Sequence, residues 1–389
     1  MAGSNTKDGN YEERAALYYP YIHIRSENWL KSAILAFQQV KRIVPYAFTL
    51  ADAEITHRYC ELTGADGLQP LLFEANIHTE RVIQAQTHLF ARLKEHEKAL
   101  VQFYSKGRTP KEFRSGRDAF QIHRMKVLDS QFSDWLVSKG LAWDTREPQE
   151  QDPDWFTVHP RFGAAIMTVL ALAVARENGL LVVTPSQHAH QMLLANTEER
   201  VLAKLLQVPI SLDDKLGNDV TVQELCQVVL MTGFDLTRLT PEDIRDMVVN
   251  GGRDLRKFYG NLSRLVANIP TDLGEEERAR RLKAKADEVL EDWRTCTEKL
   301  PQLKEAIKNA ASGDGLKKTI DIVKEAVVAN SFVHFLGGLP GIALAIVTKA
   351  GCTMMHRHAT PYPFLNRMEK AVDKRIGSLY VPQWRELAS

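Results

Sequence analysis

The chain has 389 residues, 44% of them hydrophobic and 25% charged, which are the proportions of an ordinary folded protein and exclude disorder, collagen-like repeats and low complexity. Lys and Arg number 50 against 49 Asp and Glu, so the formal charge is +1 and any contact with nucleic acid has to come from a local patch. Cys60, Cys226, Cys296 and Cys352 lie far apart with no C-x-x-C pair, which excludes a zinc knuckle or a disulfide framework and reads as reduced thiols.

The length predicts two or three domains. Residues 1–14 are polar with both charge signs and no apolar stretch, and are expected to be a disordered tail and not a signal peptide. Strand formers at Leu17-Tyr18-Tyr19-Pro20-Tyr21-Ile22 precede Ser26-Glu27, an N-cap with an acidic first turn, and then Trp29, Leu30, Ile34 and Phe37 at helical spacing. Lys41 to Pro45 predicts a second strand, and Thr49 caps an expected helix over 50–63. The run from Glu74 to Tyr104 reads as one long amphipathic helix. Trp155 to Arg161 leads into a segment, Phe162 to Glu177, that is apolar nearly all round and therefore a buried helix. Asn178-Gly179 stops it. Leu180 to Thr184 is a short apolar run that ends on Thr, of the kind that makes a fully buried strand, and Pro185-Ser186 opens another helix. The alternation predicts an α/β domain over 15–210 with a small, mostly parallel sheet.

The opening Leu17-Tyr18-Tyr19-Pro20-Tyr21-Ile22 with Trp29-Leu30, the Arg42-Ile43-Val44-Pro45 element, the His159-Pro160-Arg161-Phe162-Gly163 turn and the late Pro361-Tyr362-Pro363-Phe364-Leu365 segment resemble an uncharacterised bacterial domain-of-unknown-function family. The likeness spans most of the chain in short blocks. It implies a bacterial, cytoplasmic protein and carries over no activity. Members of that family have acidic residues after the Val-Thr strand where this chain has Pro185-Ser186-Gln187, which argues against a metal-dependent nuclease there.

The remainder, 211–389, is expected to be all helical. Ile244, Val248, Gly251, Leu255, Phe258, Leu262, Leu265 and Ile269 keep a heptad spacing, repeated by Leu282, Ala286, Val289, Trp293, Cys296, Leu300, Leu303 and Ile307. Two seams joined by a short turn predict an antiparallel hairpin over 242–309, interrupted at Asn250-Gly251-Gly252 and kinked at Pro301. The alternative is a coiled coil between two chains, so an oligomer is a competing outcome. Residues 315–350 are expected to form an apolar helix pair. Within it, 326–348 bears no charge apart from His334, but the cluster Gly337 to Gly341 divides it, so burial is expected over a membrane role.

The strand end at 184–190 is the strongest candidate site, since ligands of open α/β sheets bind beyond the carboxyl ends of strands. Thr184, Ser186, His188 and His190 gather there. On a helix the two histidines point apart, so no metal site is read and no cofactor is implied. His159 and Arg161 sit where a helix begins, and Arg161 there either pairs with the acidic stretch 144–154 or helps hold an anion. Between 106 and 126, which Gly107, Pro110 and Gly116 mark as a loop, there are seven bases to two acids, with Phe103, Tyr104, Phe113 and Phe120 interleaved. Arg108, Lys111, Arg114 and Arg117 are thus candidates for nucleic acid, the competing reading being neutralisation of residues 144–154. No catalytic motif is readable. The expectation is a cytosolic protein that binds an anionic ligand or a protein partner. The alternatives are an enzyme acting on nucleotide or nucleic-acid phosphates through Arg161 and 184–190, and a membrane-active defence effector acting through 326–348.

Overall fold

The computed structural model describes residues 15–311, except 46–47, 51, 65–66, 68, 116–118, 128–129, 144–153, 194, 196, 209–213, 267–268 and 271–274, and again 362–373. The expected tail 1–14 and the apolar pair 315–350 lie outside the described residues. In chain order the elements are β1 (Ala16–Tyr18), α1 (Glu27–Phe37), β2 (Val40–Ile43), α2 (Glu54–Glu61), β3 (Leu72–Ala75), α3 (Glu80–Glu95), α4 (Glu97–Tyr104), β4 (Phe120–His123), α5 (Ser130–Ser138), β5 (Ala142–Trp143), β6 (Trp155–Val158), α6 (Pro160–Asn178), β7 (Leu181–Val183), α7 (Gln187–Leu193), α8 (Glu198–Leu205), α9 (Asp214–Gly233), α10 (Pro241–Val266) and α11 (Glu275–Ala311). A last helix, α12, covers 363–373.

The protein is α/β with a helical C-terminal part. Four parallel strands run in the order β3-β2-β1-β7, with Leu17 opposite Lys41 on one side and Val182 on the other. Side chains alternate across a strand, and the two faces of β1 feed two cores. Leu17 and Tyr19 join Ile43, Ala75 and Val182 under α3 and α6. Ala16 and Tyr18 join Val40, Leu72 and Val183 under α1, α9 and α10. The α1-side core therefore draws on chain from both sides of residue 210. Lys31 of α1 is buried in it and donates through Nζ to the Leu236 carbonyl at 3.0 Å.

Ser26 caps α1 as its sequence predicts, its Oγ accepting from the Trp29 N–H at 3.2 Å. Three readings are corrected. The helix expected over 50–63 starts only at Glu54, because the Asp52 carboxylate is engaged by Arg42 and His23 and holds the preceding residues as a loop. The run 74–104 is not one helix. Strand β3 occupies its start, Thr79 caps α3 through the Val82 N–H, and the chain breaks at His96 before α4. The basic stretch is not wholly loop either: it ends in β4, which pairs with β6 in a second, antiparallel sheet of order β4-β6-β5.

Helices α10 and α11 are both present, and α10 runs unbroken through Gly251-Gly252. Gly251 instead leaves room on that face for Phe364 of α12, whose ring stacks on Phe258. The buried seam positions Ile244, Leu255, Leu262, Leu282, Ala286 and Val289 share one core with Leu225, Val229 and Leu230 of α9, against which both long helices pack. Helix α9 is the partner that the heptad count did not name.

Gly163, in the first turn of α6, is where the helix meets the second sheet. A Cβ there would lie 2.4 Å from Phe120 Cδ1 and 2.6 Å from Val158 Cγ2. Gly163→Ala is expected to force that contact apart and lower stability by about 1–3 kcal/mol, read as a fall in the urea midpoint at unchanged slope.

Candidate functional site

Segments on opposite faces of the sheet reach the two neighbours of β1. The chain goes from β1 to β2 through α1 on one face, and arrives at β7 through α6 on the other. The strand order thus switches direction between β1 and β7, and the crevice beyond their carboxyl ends is the ligand position that this topology creates. It is formed by the loop after β1 (19–26) and the loop after β7 (184–186). Helix α6 runs back over the sheet into β7, so its N-terminus returns to the same edge.

The loop after β1 is held from several directions. Tyr19 N–H donates to the Val183 carbonyl, and the Tyr19 hydroxyl reaches the Ala189 carbonyl at 3.0 Å and Thr168 Oγ1 at 3.2 Å. The Tyr18 hydroxyl donates to the His23 carbonyl at 3.0 Å, which fixes His23. Its Nδ1 lies 3.3 Å from Asp52 Oδ1, and Asp52 also receives Nη1 of Arg42, with the side chains of Asp52 and Arg42 each 1% exposed. Arg42 Nε is buried with no hydrogen-bond partner. The His23 ring is 41% exposed and sits against Phe48, whose ring also meets His123 of β4 and Trp155 of β6. The second sheet therefore approaches the edge of the first at this aromatic and histidine cluster.

Lys126, just after β4, is 3% exposed. Its Nζ donates to the Pro20 carbonyl at 2.8 Å, and among the described residues no carboxylate pairs with it. Burial pulls its ammonium down from an ordinary 10.5 to about 7. Gln86 of α3 donates through Nε2 to the Lys126 carbonyl at 2.7 Å, and Gln86 Oε1 is buried without a partner.

The expected residues divide into two groups. His159 caps α6, its Nδ1 accepting from the Arg161 N–H at 3.2 Å, and burial lowers its imidazole to about 4, with the charges of His188 and Arg161 acting in the same direction. Arg161 has no carboxylate partner among the described residues. Its Nη2 donates to the Lys204 carbonyl at 3.1 Å and its Nε is buried without a partner. Thr184 and Ser186 are turned onto the local backbone: Thr184 Oγ1 accepts from the Ser186 N–H, and Ser186 Oγ from the Ala189 N–H. His188 and His190 face opposite ways. The first packs on Phe113, and the second places Nε2 3.0 Å from Glu224 Oε1 of α9, which also receives Arg278 of α11 at 2.7 Å.

In the basic stretch, Arg108 and Lys111 are exposed. Arg114 folds its guanidinium back onto the Thr109 and Gly107 carbonyls at 2.6 and 3.1 Å. Arg124 lies over the Phe156 ring and donates to Ser133 Oγ. Arg117 lies outside the described residues. Arg114, Arg124 and Lys126 are thus used in folding the segment, which leaves it a poorer phosphate-tracking surface than its charge implies.

The reading that centred on 184–190 missed His23, Arg42, Asp52 and Gln86, and counted Lys126 only as surface charge. A basic residue at Arg42, inside an otherwise apolar strand, is the signal that could have found the first three.

No protein-family model matches the chain, and no curated protein or solved structure matches it. The likeness to an uncharacterised bacterial family stands on the quoted residue blocks alone.

Asp52→Asn leaves Arg42 as a buried, uncompensated charge and is expected to cost about 3–5 kcal/mol in denaturant unfolding, while the double change Arg42→Met with Asp52→Leu recovers most of that loss. Lys126 gives a pH signature. Unfolded, it keeps its proton up to 10.5; folded, it loses it near 7. Between those values the unfolded chain binds more protons, so the stability linked to this group is complete above 10.5 and is lost as pH falls through 7. The urea midpoint of the wild type, measured against that of Lys126→Met, is expected to rise between about pH 6 and pH 9.

Proposed function

We propose that this is a cytoplasmic binding protein that takes up a small anion-bearing ligand at the carboxyl edge of its parallel sheet. One observation carries the reading: at the start of α6 the Arg161 guanidinium has no carboxylate partner among the described residues, and its Nε is buried with no hydrogen-bond partner. A cation taken out of water costs free energy unless an anion accompanies it, and a ligand that brings one recovers that cost on binding. The place agrees with the topology, since α6 runs back over the sheet into β7 and so begins at the edge where the parallel strands end. The compartment follows from the family likeness. No helix among the described residues is long and apolar enough to cross a membrane, and the run 326–348 of the effector alternative lies outside them.

Titration calorimetry of the purified chain with inorganic phosphate, a nucleoside monophosphate and a dicarboxylate tests this. Saturable binding of at least one is expected, together with a rise in melting temperature and a loss of about tenfold in affinity on Arg161→Ala. No saturable binding of any of the three, or binding that Arg161→Ala does not alter, overturns the reading.

A further inference from the structure

We propose that His23 is a general base, held by Asp52, that activates water for hydrolysis of a small carboxylic ester bearing an aromatic group. The geometry begins at Asp52, whose carboxylate lies between two partners: Oδ2 receives Nη1 of Arg42, and Oδ1 lies 3.3 Å from Nδ1 of His23. A carboxylate can only accept, so the imidazole proton sits on Nδ1 and the lone pair is on Nε2. Among the described residues Nε2 has no hydrogen-bond partner, and with 41% of the side chain exposed the ring is open to solvent. His23 and Asp52 stand in the loops that follow β1 and β2, at the carboxyl edge where open parallel sheets carry their sites.

A pair that served only to fold the chain would be built differently. The side chains of Arg42 and Asp52 are each 1% exposed, and such partners are best satisfied by the fork geometry, in which both carboxylate oxygens meet the guanidinium. Here Arg42 Nε is left buried without a partner while Asp52 keeps Oδ1 for His23. The charge of Asp52 is already balanced by Arg42, and the loop is already tied through the His23 carbonyl to the Tyr18 hydroxyl, so neither task needs the imidazole. What the arrangement achieves is a fixed tautomer and a fixed ring, with the basic nitrogen on the side away from the buried carboxylate. The half-buried rings of Phe48, 5.7 Å from the His23 ring, and of Trp155 form an apolar wall beside it, which suits a substrate with a planar apolar group. A carboxylic ester is uncharged until the transition state, which fits a base whose neighbouring buried cation is already neutralised.

In the step itself Nε2 takes a proton from water as the water oxygen bonds to the ester carbonyl carbon. The tetrahedral intermediate collapses with cleavage of the bond to the alcohol oxygen, and the imidazolium returns its proton to that oxygen. Ester and water become acid and alcohol, His23 is regenerated, and Asp52 faces the imidazolium while it carries charge. Arg161 takes no part, so ester hydrolysis here and anion binding there stand or fail separately.

The test is hydrolysis of phenyl acetate and 4-nitrophenyl acetate by the purified full chain near pH 8. Saturable turnover is expected. His23→Gln keeps an N–H for Asp52 and removes the base, and is expected to lower kcat about a hundredfold at little-changed KM and an unchanged melting temperature. His23→Ala, in which Asp52 keeps Arg42, is expected to do the same. Arg42→Met with Asp52→Leu retains His23 and leaves no buried charge, and it is expected to lose kcat comparably while remaining folded, an effect that a merely structural role for Asp52 would not produce. No saturable hydrolysis of either ester overturns the proposal, and so does hydrolysis that both His23 variants leave unchanged. Turnover lost in the His23 variants but kept in the double variant overturns the positioning role of Asp52.

Discussion

Strand β1 has protein on both of its faces, and the rest of the molecule is arranged by what that requires. Its backbone is paired on both edges, to β2 and β7, and its side chains alternate between two cores. Tyr18 and Tyr19 bring phenol groups into those cores, and each must find an acceptor there. Tyr18 finds the His23 carbonyl, and Tyr19 finds Ala189 and Thr168. In both cases the acceptor lies on a segment at the carboxyl edge of the parallel sheet or directly behind it. The same hydrogen bonds that make two aromatic residues tolerable inside the protein set the geometry of the loops around the crevice.

Strands β1, β2 and β7, with helices α1 and α6, were legible because caps, prolines and glycine stops punctuate their runs. Ser26, Gly179 and the uncharged runs at 162–175 and 180–184 report local rules that the tertiary structure does not override. Strand β3 and the antiparallel sheet were not legible, since the identity of Leu72–Ala75, Ala142–Trp143 and Phe120–His123 as strands depends on pairing partners distant in sequence. The heptads at 244–269 and 282–293 marked which faces are buried. A periodicity is silent about the partner, and α9, with its weakly patterned sequence, was invisible as the helix that both faces seek.

At the candidate site, the strand ends were legible in the sequence and most of the side chains around them were not. The rule for open sheets pointed to the strand ends, and the opposite bearing of His188 and His190 follows from helical geometry alone. Lys126 was hidden among six other bases, because burial is what sets it apart from a solvated charge and burial is not written in a charge count. His23 and Asp52 are 29 residues apart, and only the return of β2 beside β1 makes them neighbours.

The threading of the chain also governs how it can fold. The contacts that complete the sheet and its cover are distant in sequence: Tyr19 meets Ala189 across 170 residues, and Ala36 accepts from Tyr259 across 223. Closing such loops costs entropy before any contact rewards it, so the central strand cannot consolidate early. During synthesis β1 and α1 emerge before β7, α9 and α10 and wait with their apolar faces uncovered until those elements arrive. For that interval the nascent chain presents Leu17, Tyr19, Leu30 and Ile34 unshielded, which makes it a natural client for a holding chaperone and makes slow translation or truncation before α10 a direct route to aggregation.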